Sequence, residues 1–136
     1  MSIDRAQRLF LLAMGVGLVP VALSYGAVPE RSLPFLFGIA EPDLSTQHIF
    51  RAVMGLYLGM ISFWLAGALS RALRRPALWT VFVFVTGIAL GRALSVALDG
   101  WPRPLLIAYL LAELVLAAIS LSLLFRGSGA AGERAP

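Results

Sequence analysis

Four long apolar runs constrain this chain more than any other feature of its sequence. They cover residues 9–26, 49–69, 77–98 and 105–125. A helix needs about 20 mostly apolar residues to cross the hydrocarbon core of a bilayer. In lipid, only helices and closed barrels satisfy all of their backbone hydrogen bonds. The pattern therefore predicts an all-α integral membrane protein, a four-helix bundle formed by residues 1–126, with the lipid bilayer as its surroundings.

The composition agrees with lipid as part of the solvent. The 136 residues are 60% hydrophobic and 13% charged, whereas a soluble domain is about 45–50% apolar and about 25% charged. The formal net charge is +4, but the arginines lie mostly at the ends of apolar runs and form no basic patch, which argues against nucleic-acid binding. The chain has no cysteine, and its one histidine is His48. We therefore expect no disulfide, no metal site and no cofactor.

The arginines also predict how the helices are oriented. Cytoplasmic ends of membrane helices carry an excess of basic residues. With the N-terminus inside, the cytoplasmic side holds Arg5, Arg8, Arg71, Arg74, Arg75, Arg126 and Arg134. The outer side or its edge holds Arg31, Arg51 and Arg103. Because the first group is the larger, both termini are predicted to be cytoplasmic.

The two ends of the chain call for separate predictions. Basic residues followed by an apolar run also describe a secretory signal peptide, whose apolar core is usually about 7–15 residues long. The run at residues 9–26 is longer, so we expect it to remain as the first helix. After residue 126 Gly and Ala are frequent, and residues 127–136 are predicted to be a disordered tail.

Two charged residues, Arg92 and Glu113, lie inside the predicted third and fourth helices. A charge at the centre of a membrane helix costs about 2.5–3.5 kcal/mol on insertion scales. Counting about 1.5 Å per residue from the outer helix ends places Arg92 about 9 Å deep and Glu113 about 12 Å deep. Because a short turn joins the two helices, the two side chains are predicted to form an ion pair.

Other polar residues are predicted to join this pair in the outer half of the bundle. Asp99 follows Arg92 at helical spacing, and Tyr109 precedes Glu113 by about one turn. The full predicted cluster is Arg51, Arg92, Asp99, Glu113, His48 and Tyr109. It has two interpretations that the sequence leaves open. It is a structural lock that sets helix register, or it is a site for a ligand, substrate or ion.

Two Gly-x-x-x-Gly motifs lie on the second and third helices, at Gly55 and Gly59 and at Gly87 and Gly91. Small residues at this spacing let two helix backbones approach closely in lipid. We predict that these glycines pack helices together within the bundle. The alternative is a face for a second copy or for another membrane protein.

Three elements of the sequence are similar to one known family. They are the run from His48 to Gly59, the run from Gly87 to Ser95 with Asp99, Gly100 and Pro102 after it, and Glu113. On these elements the chain resembles the bacterial family catalogued as domain of unknown function 4345. The resemblance implies a small four-helix protein of the bacterial inner membrane and no particular reaction. Its recurring pattern falls on Arg51, Gly55, Arg92, Asp99, Gly100 and Glu113.

The sequence favours an accessory or interaction subunit that docks on a copy of itself or on a larger membrane complex. The alternative is a binding protein or enzyme for a hydrophobic small molecule such as a quinone or a sterol-like lipid. In that case Arg51 and Arg92 would hold an anionic or carbonyl group, and Glu113 would exchange a proton. Proton-coupled drug export is disfavoured, because the small multidrug transporters carry their essential glutamate in the first helix and residues 9–26 here have no charge.

Overall fold

The structure, a computed structural model, describes the backbone of residues 2–132 and the side chains of residues 2–126. Over this part of the chain it consists of helices joined by short turns, without strands. The helices are α1 (Ile3–Gly17), α2 (Val19–Gly26), α3 (Pro29–Ser32), α4 (Leu44–Leu69), α5 (Arg71–Asp99) and α6 (Pro104–Gly132), with a π-helical turn at Leu33–Phe37 between α3 and α4. The predicted all-α class is confirmed.

Four stretches of helix are long and apolar enough to cross a membrane. They are Ile3–Gly26, Leu44–Leu69, Arg71–Asp99 and Pro104–Arg126. Each stretch contains one predicted apolar run and extends beyond it. Hydropathy marks only the lipid-embedded part of a helix, whereas the backbone hydrogen bonds continue into the more polar ends. The predicted tail stays a prediction, since α6 continues to Gly132 and residues 133–136 lie outside the described residues.

The first of these stretches is interrupted near its middle. Pro20 has no backbone N–H, so it cannot donate to the carbonyl four residues earlier. Helix α1 ends at Gly17 and α2 begins at Val19, while the Leu18 N–H still donates to the Met14 carbonyl at 3.1 Å. Beyond the interruption, α2 packs against α4 and buries Ala22, Tyr25 and Gly26.

The long helices pack in chain order and the bundle then closes. Helices α1 and α2 pack against α4, α4 against α5, α5 against α6, and α6 returns to α1. Gln7 of α1 donates from Nε2 to the Leu123 carbonyl of α6 at 2.9 Å. Asp4 forms an ion pair with Arg74 near the start of α5. The start of α1, the start of α5 and the later part of α6 therefore meet at one end of the bundle, here called the basic end.

The core lies between α1, α4 and α5. Its fully buried side chains include Leu11, Trp64, Leu78 and Val81. The Trp64 indole N–H donates to Thr80 Oγ1 at 3.1 Å, which satisfies the donor of this fully buried side chain. Helix α6 contributes much less, because up to Arg126 only Ser120 and Leu124 are buried. Most of its apolar surface up to Arg126 is not covered by the other helices.

The structure corrects the expectation that the four motif glycines pack helices inside this chain. Gly55, Gly59, Gly87 and Gly91 are exposed, and a Cβ placed on any of them meets no atom within 4 Å. Helix α4 instead buries a face with large side chains, which carries Tyr57, Ile61 and Trp64. The reason is packing: Tyr57 and Trp64 each pack against the Phe84 ring of α5, at 5.0 and 5.5 Å between ring centres, and such contacts hold helices together in lipid.

Close backbone packing occurs at other glycines. A Cβ on Gly26 would lie 2.8 Å from the Arg51 Cα and 2.9 Å from the Met54 Cβ. A Cβ on Gly67 would collide with the Ala77 side chain. The contacts of α2 with α4, and of α4 with α5, therefore depend on glycines outside the two motifs.

Candidate functional site

A cavity of about 200 Å³ lies between α2, α4, α5 and α6. Its walls are mainly apolar, with Val21, Phe84, Ile88 and Leu116 among them. The polar side chains that line it are Tyr25, Tyr57, Arg92, Tyr109 and Glu113. The cavity thus combines an apolar volume with one small group of hydrogen-bonding and charged atoms.

Arg92 and Glu113 form the predicted ion pair at the wall of this cavity. The Arg92 Nε donates to both carboxylate oxygens of Glu113, at 3.0 Å to Oε1 and 3.1 Å to Oε2. The two side chains are 19% and 12% exposed. Because the antiparallel helices α5 and α6 bring the residues to one depth, each charge neutralises the other where lipid would reject it alone.

Three tyrosines line the same cavity as Arg92. The Arg92 Cζ lies 5.5 Å from the centre of the Tyr109 ring, a distance at which a cation is attracted to the ring face. Tyr25 and Tyr57 are the other two, and the centres of their rings lie 5.3 Å apart. The ion pair is therefore bordered on the cavity side by aromatic rings that carry hydroxyl groups.

Sequence reasoning identified Tyr109 and missed Tyr25 and Tyr57. A signal for Tyr57 existed, because it shares one helix face with Ile61 and Trp64 at spacings of four and seven residues. No comparable signal existed for Tyr25. It reaches the cavity because α2 packs on α4 after the interruption at Pro20, and that packing is a tertiary property.

The other members of the predicted cluster lie away from the cavity. Arg51 Nη2 is 3.9 Å from Glu30 Oε1, and both side chains are about half exposed, at 52% and 55%. Asp99, the last residue of α5, accepts a hydrogen bond from Ser95 Oγ at 2.9 Å in an exposed position. His48 is exposed in the second turn of α4.

The predicted six-residue cluster is thus divided, which corrects the expectation of one site. The cavity contains Arg92, Glu113 and Tyr109, and excludes Arg51, Asp99 and His48. Distance along the helix explains the exclusion of Asp99, since seven residues correspond to about 10 Å. Arg51 and His48 lie near the start of α4, where exposed side chains reach the polar boundary of the membrane without a partner in the core.

The cavity can hold an oxygen-containing group by hydrogen bonds and charge. A guanidinium group has five N–H donors in a planar fork, and Glu113 uses only the Nε donor in the bonds described above. Tyrosine hydroxyls both donate and accept. Among the described residues, no group of three or more His, Cys, Asp or Glu side chains lies close enough together to hold a metal ion.

Comparison with known protein families gives a match over most of the chain. The family model described as Domain of unknown function (DUF4345) matches residues 6–124, which is most of the chain. No curated protein and no solved structure matches the chain. The matched region covers the four apolar stretches except for residues 3–5 and 125–126, and it contains every residue of the cavity.

Proposed function

The chain belongs to the family described as domain of unknown function 4345, and from its cavity we propose that it binds a hydrophobic small molecule with one polar head. The observation that carries this proposal is the position of Arg92 and Glu113 in the wall of an otherwise apolar cavity. Ligand sites typically combine apolar walls with a few polar groups that orient the ligand. Ionisable residues inside membrane helices are candidates for function by default.

The size of the cavity narrows the class of ligand. Sites for whole drug-sized ligands measure about 300–1,000 Å³, and this cavity measures about 200 Å³. It therefore suits a ring-sized head whose apolar tail continues between the helices into lipid. Arg92 would donate to a carbonyl or carboxylate oxygen of the head, and Glu113 would accept or release a proton there. Quinones and sterol-like lipids have this combination of head and tail.

The experiment is native mass spectrometry of the protein extracted from its own membranes in a mild detergent. We expect a small-molecule mass on the wild-type chain. Ala112→Phe adds a ring at the cavity wall, and Glu113→Gln removes the carboxylate, so each should lower occupancy about tenfold or more. Ala118→Phe is the matched control, because Ala118 is exposed on the same helix and does not line the cavity.

Two results would refute this proposal. One is the absence of any small-molecule mass under conditions that preserve the fold. The other is an adduct that Ala118→Phe removes as efficiently as Ala112→Phe, since that pattern indicates lipid held on the outer surface of α6.

A second candidate function is an accessory subunit that associates through its glycine faces. The observation that favours it is the open space at Gly55 and Gly59 on α4 and at Gly87 and Gly91 on α5. Glycines that pack against nothing within the chain leave the backbone accessible to a helix of a second copy or of a larger complex.

This second candidate has its own test. Gly59→Ile and Gly91→Ile should each remove a stoichiometric protein mass from the native complex, because the branched side chain keeps another backbone away. Ala118→Ile on α6 is the control of matched size. A wild-type chain that always purifies as a monomer contradicts the accessory role and leaves the ligand proposal untouched.

We also propose a location, the bacterial inner membrane, with the basic end of the bundle in the cytoplasm. The support is the charge of that end, where Arg71, Arg74 and Arg75 lie near the start of α1. Such an excess of arginine is typical of cytoplasmic helix ends. Because the start of α1 packs against the later part of α6 at this end, both termini would be cytoplasmic.

A further inference from the structure

A second cavity lies at the basic end, away from the ligand cavity described above. It measures about 220 Å³, and the residues that line it and matter here are Asp4, Gln7, Arg71, Arg74 and Arg75. Three of these side chains are cationic and one is anionic, so the lining carries an excess of positive charge. The single carboxylate is already engaged, since Asp4 pairs with Arg74 and lies 3.5 Å from Arg71.

Arg74 is the unusual member of this lining. The residue is only 6% exposed. Its Nη1 group donates to Asp4, and its Nη2 group donates to the Ala68 carbonyl at 3.1 Å. Its Nε atom is buried and has no hydrogen-bond partner among the described residues. Buried donors without a partner are uncommon in native proteins and need an explanation.

The start of α5 adds positive potential at the same place. The helix begins at Arg71, its N-cap residue Ser70 makes no side-chain capping hydrogen bond, and its first turn contains no acidic residue. The N-terminus of a helix carries unpaired N–H groups and about half a positive charge. Arginines at this position repel the helix dipole, whereas an anion is attracted by both.

We propose that this cavity binds a phosphate group, carried either by the headgroup of an anionic lipid or by a free phosphate ion. The arginine fork matches the geometry of phosphate oxygens. The cavity lies at the helix ends where two of the apolar stretches begin, at Ile3 and Arg71, and the ends of membrane-spanning helices lie at the level of the lipid headgroups. A bound phosphate would offset the excess of positive charge and offer an acceptor to the arginines and to the first turn of α5.

The experiment follows thermal unfolding of the full chain in an uncharged detergent through its tryptophan fluorescence. One arm titrates dioctanoyl phosphatidylglycerol, and the other replaces chloride by inorganic phosphate at constant ionic strength. A ligand that binds the folded state raises the unfolding midpoint in a concentration-dependent way. We expect Arg71→Gln, whose side chain is 85% exposed and hence dispensable for folding, to raise the half-saturating concentration about fivefold. Arg75→Gln provides a second variant at an exposed lining residue.

The control is Arg8→Gln, which removes the same charge from α1 without touching the cavity lining. Stabilisation by phosphatidylglycerol alone, weakened by Arg71→Gln and unchanged by Arg8→Gln, supports a lipid headgroup as the ligand. The same pattern with inorganic phosphate supports a free phosphate. The proposal is overturned if neither probe stabilises the protein, or if Arg8→Gln weakens the effect as much as Arg71→Gln.

Discussion

The ion pair between Arg92 and Glu113 neutralises two charges that a membrane-spanning stretch would otherwise exclude. The two side chains are 19% and 12% exposed, and their limited access to solvent makes each partner dependent on the other. A structural lock and a ligand site are compatible at this position. Removing both charges together separates the two roles. The double variant has no unpaired charge, so its stability should be largely kept, whereas a ligand would lose the groups that bind it.

We predict strong coupling between these two residues. Glu113→Gln and Arg92→Gln should each lower the free energy of unfolding by about 1–3 kcal/mol, because each leaves one enclosed charge without its partner. The double variant should recover most of that loss. Reversible unfolding in mixed micelles, analysed as a double-mutant cycle, measures the coupling. Losses that simply add would show that the pair contributes no mutual stabilisation.

The packing of α2 on α4 depends on the absence of a side chain at Gly26. Gly26→Ala should lower the free energy of unfolding by about 1–3 kcal/mol, because a Cβ would lie 2.8 Å from the Arg51 backbone. Gly55→Ala is the matched control on α4, with no atom within 4 Å of its Cβ, and should be neutral or slightly stabilising. The comparison uses the midpoints of thermal unfolding. Equal effects at the two sites would contradict the close approach.

The start of α4 depends on a capping hydrogen bond that titrates. Asp43 Oδ1 accepts from the Thr46 N–H at 2.7 Å, and hydrogen bonding to Thr46 holds the pKa of the Asp43 carboxyl below its ordinary value of 3.8. A lowered pKa in the folded state means that the cap stabilises the protein above the unfolded-state pKa. This stabilisation is lost as the pH falls through the folded-state pKa.

The test compares the wild-type chain with Asp43→Asn, whose side chain caps the helix but does not titrate. The wild-type midpoint minus the Asp43→Asn midpoint should be constant near neutral pH and should decrease below about pH 4, because only the wild-type cap is protonated there. Asp43→Ala removes the cap and should unfold at a lower temperature at neutral pH. A wild-type advantage that grows on acidification would have the opposite sign to the predicted linkage.

The molecule as a whole has two chemically different ends. The basic end contains Arg71, Arg74 and Arg75, together with the start of α1 and the later part of α6. The opposite end contains the segment between α2 and α4 and the short turn between α5 and α6. The chain has no cysteine, so single introduced thiols report the side of each end without interference. The orientation can therefore be measured directly in intact cells.

For this measurement we predict that Ser45→Cys reacts with a membrane-impermeant thiol reagent in intact cells and that Ala72→Cys reacts only after lysis. Both positions are exposed, one at the start of α4 and one at the start of α5. The reason is the positive-inside rule applied to the arginines of the basic end. The reversed labelling pattern would place the basic end outside and would remove the support for a cytoplasmic N-terminus.

The amino-acid sequence by itself determined the number of helical stretches that could span a membrane and the pairing of Arg92 with Glu113. Both follow from what lipid requires of any helix within it. Its side chains are mostly apolar, its backbone hydrogen bonds are formed within the helix, and a charged side chain has a partner of opposite charge. The short turn makes α5 and α6 antiparallel neighbours, so that Arg92 and Glu113 lie close enough to pair. These features need no knowledge of how the other helices are arranged.

Only the tertiary structure decided which face of each helix is buried. The motif glycines on α4 and α5 face outward, because Tyr57 and Trp64 make the packing contacts between these two helices on the opposite side of α4. Tyr25 reaches the cavity through the packing of α2 on α4, and Arg74 is buried by its pairing with Asp4 across the basic end. Each outcome depends on how well the side chains of several helices pack against one another. One segment of sequence does not show which segments will pack against it.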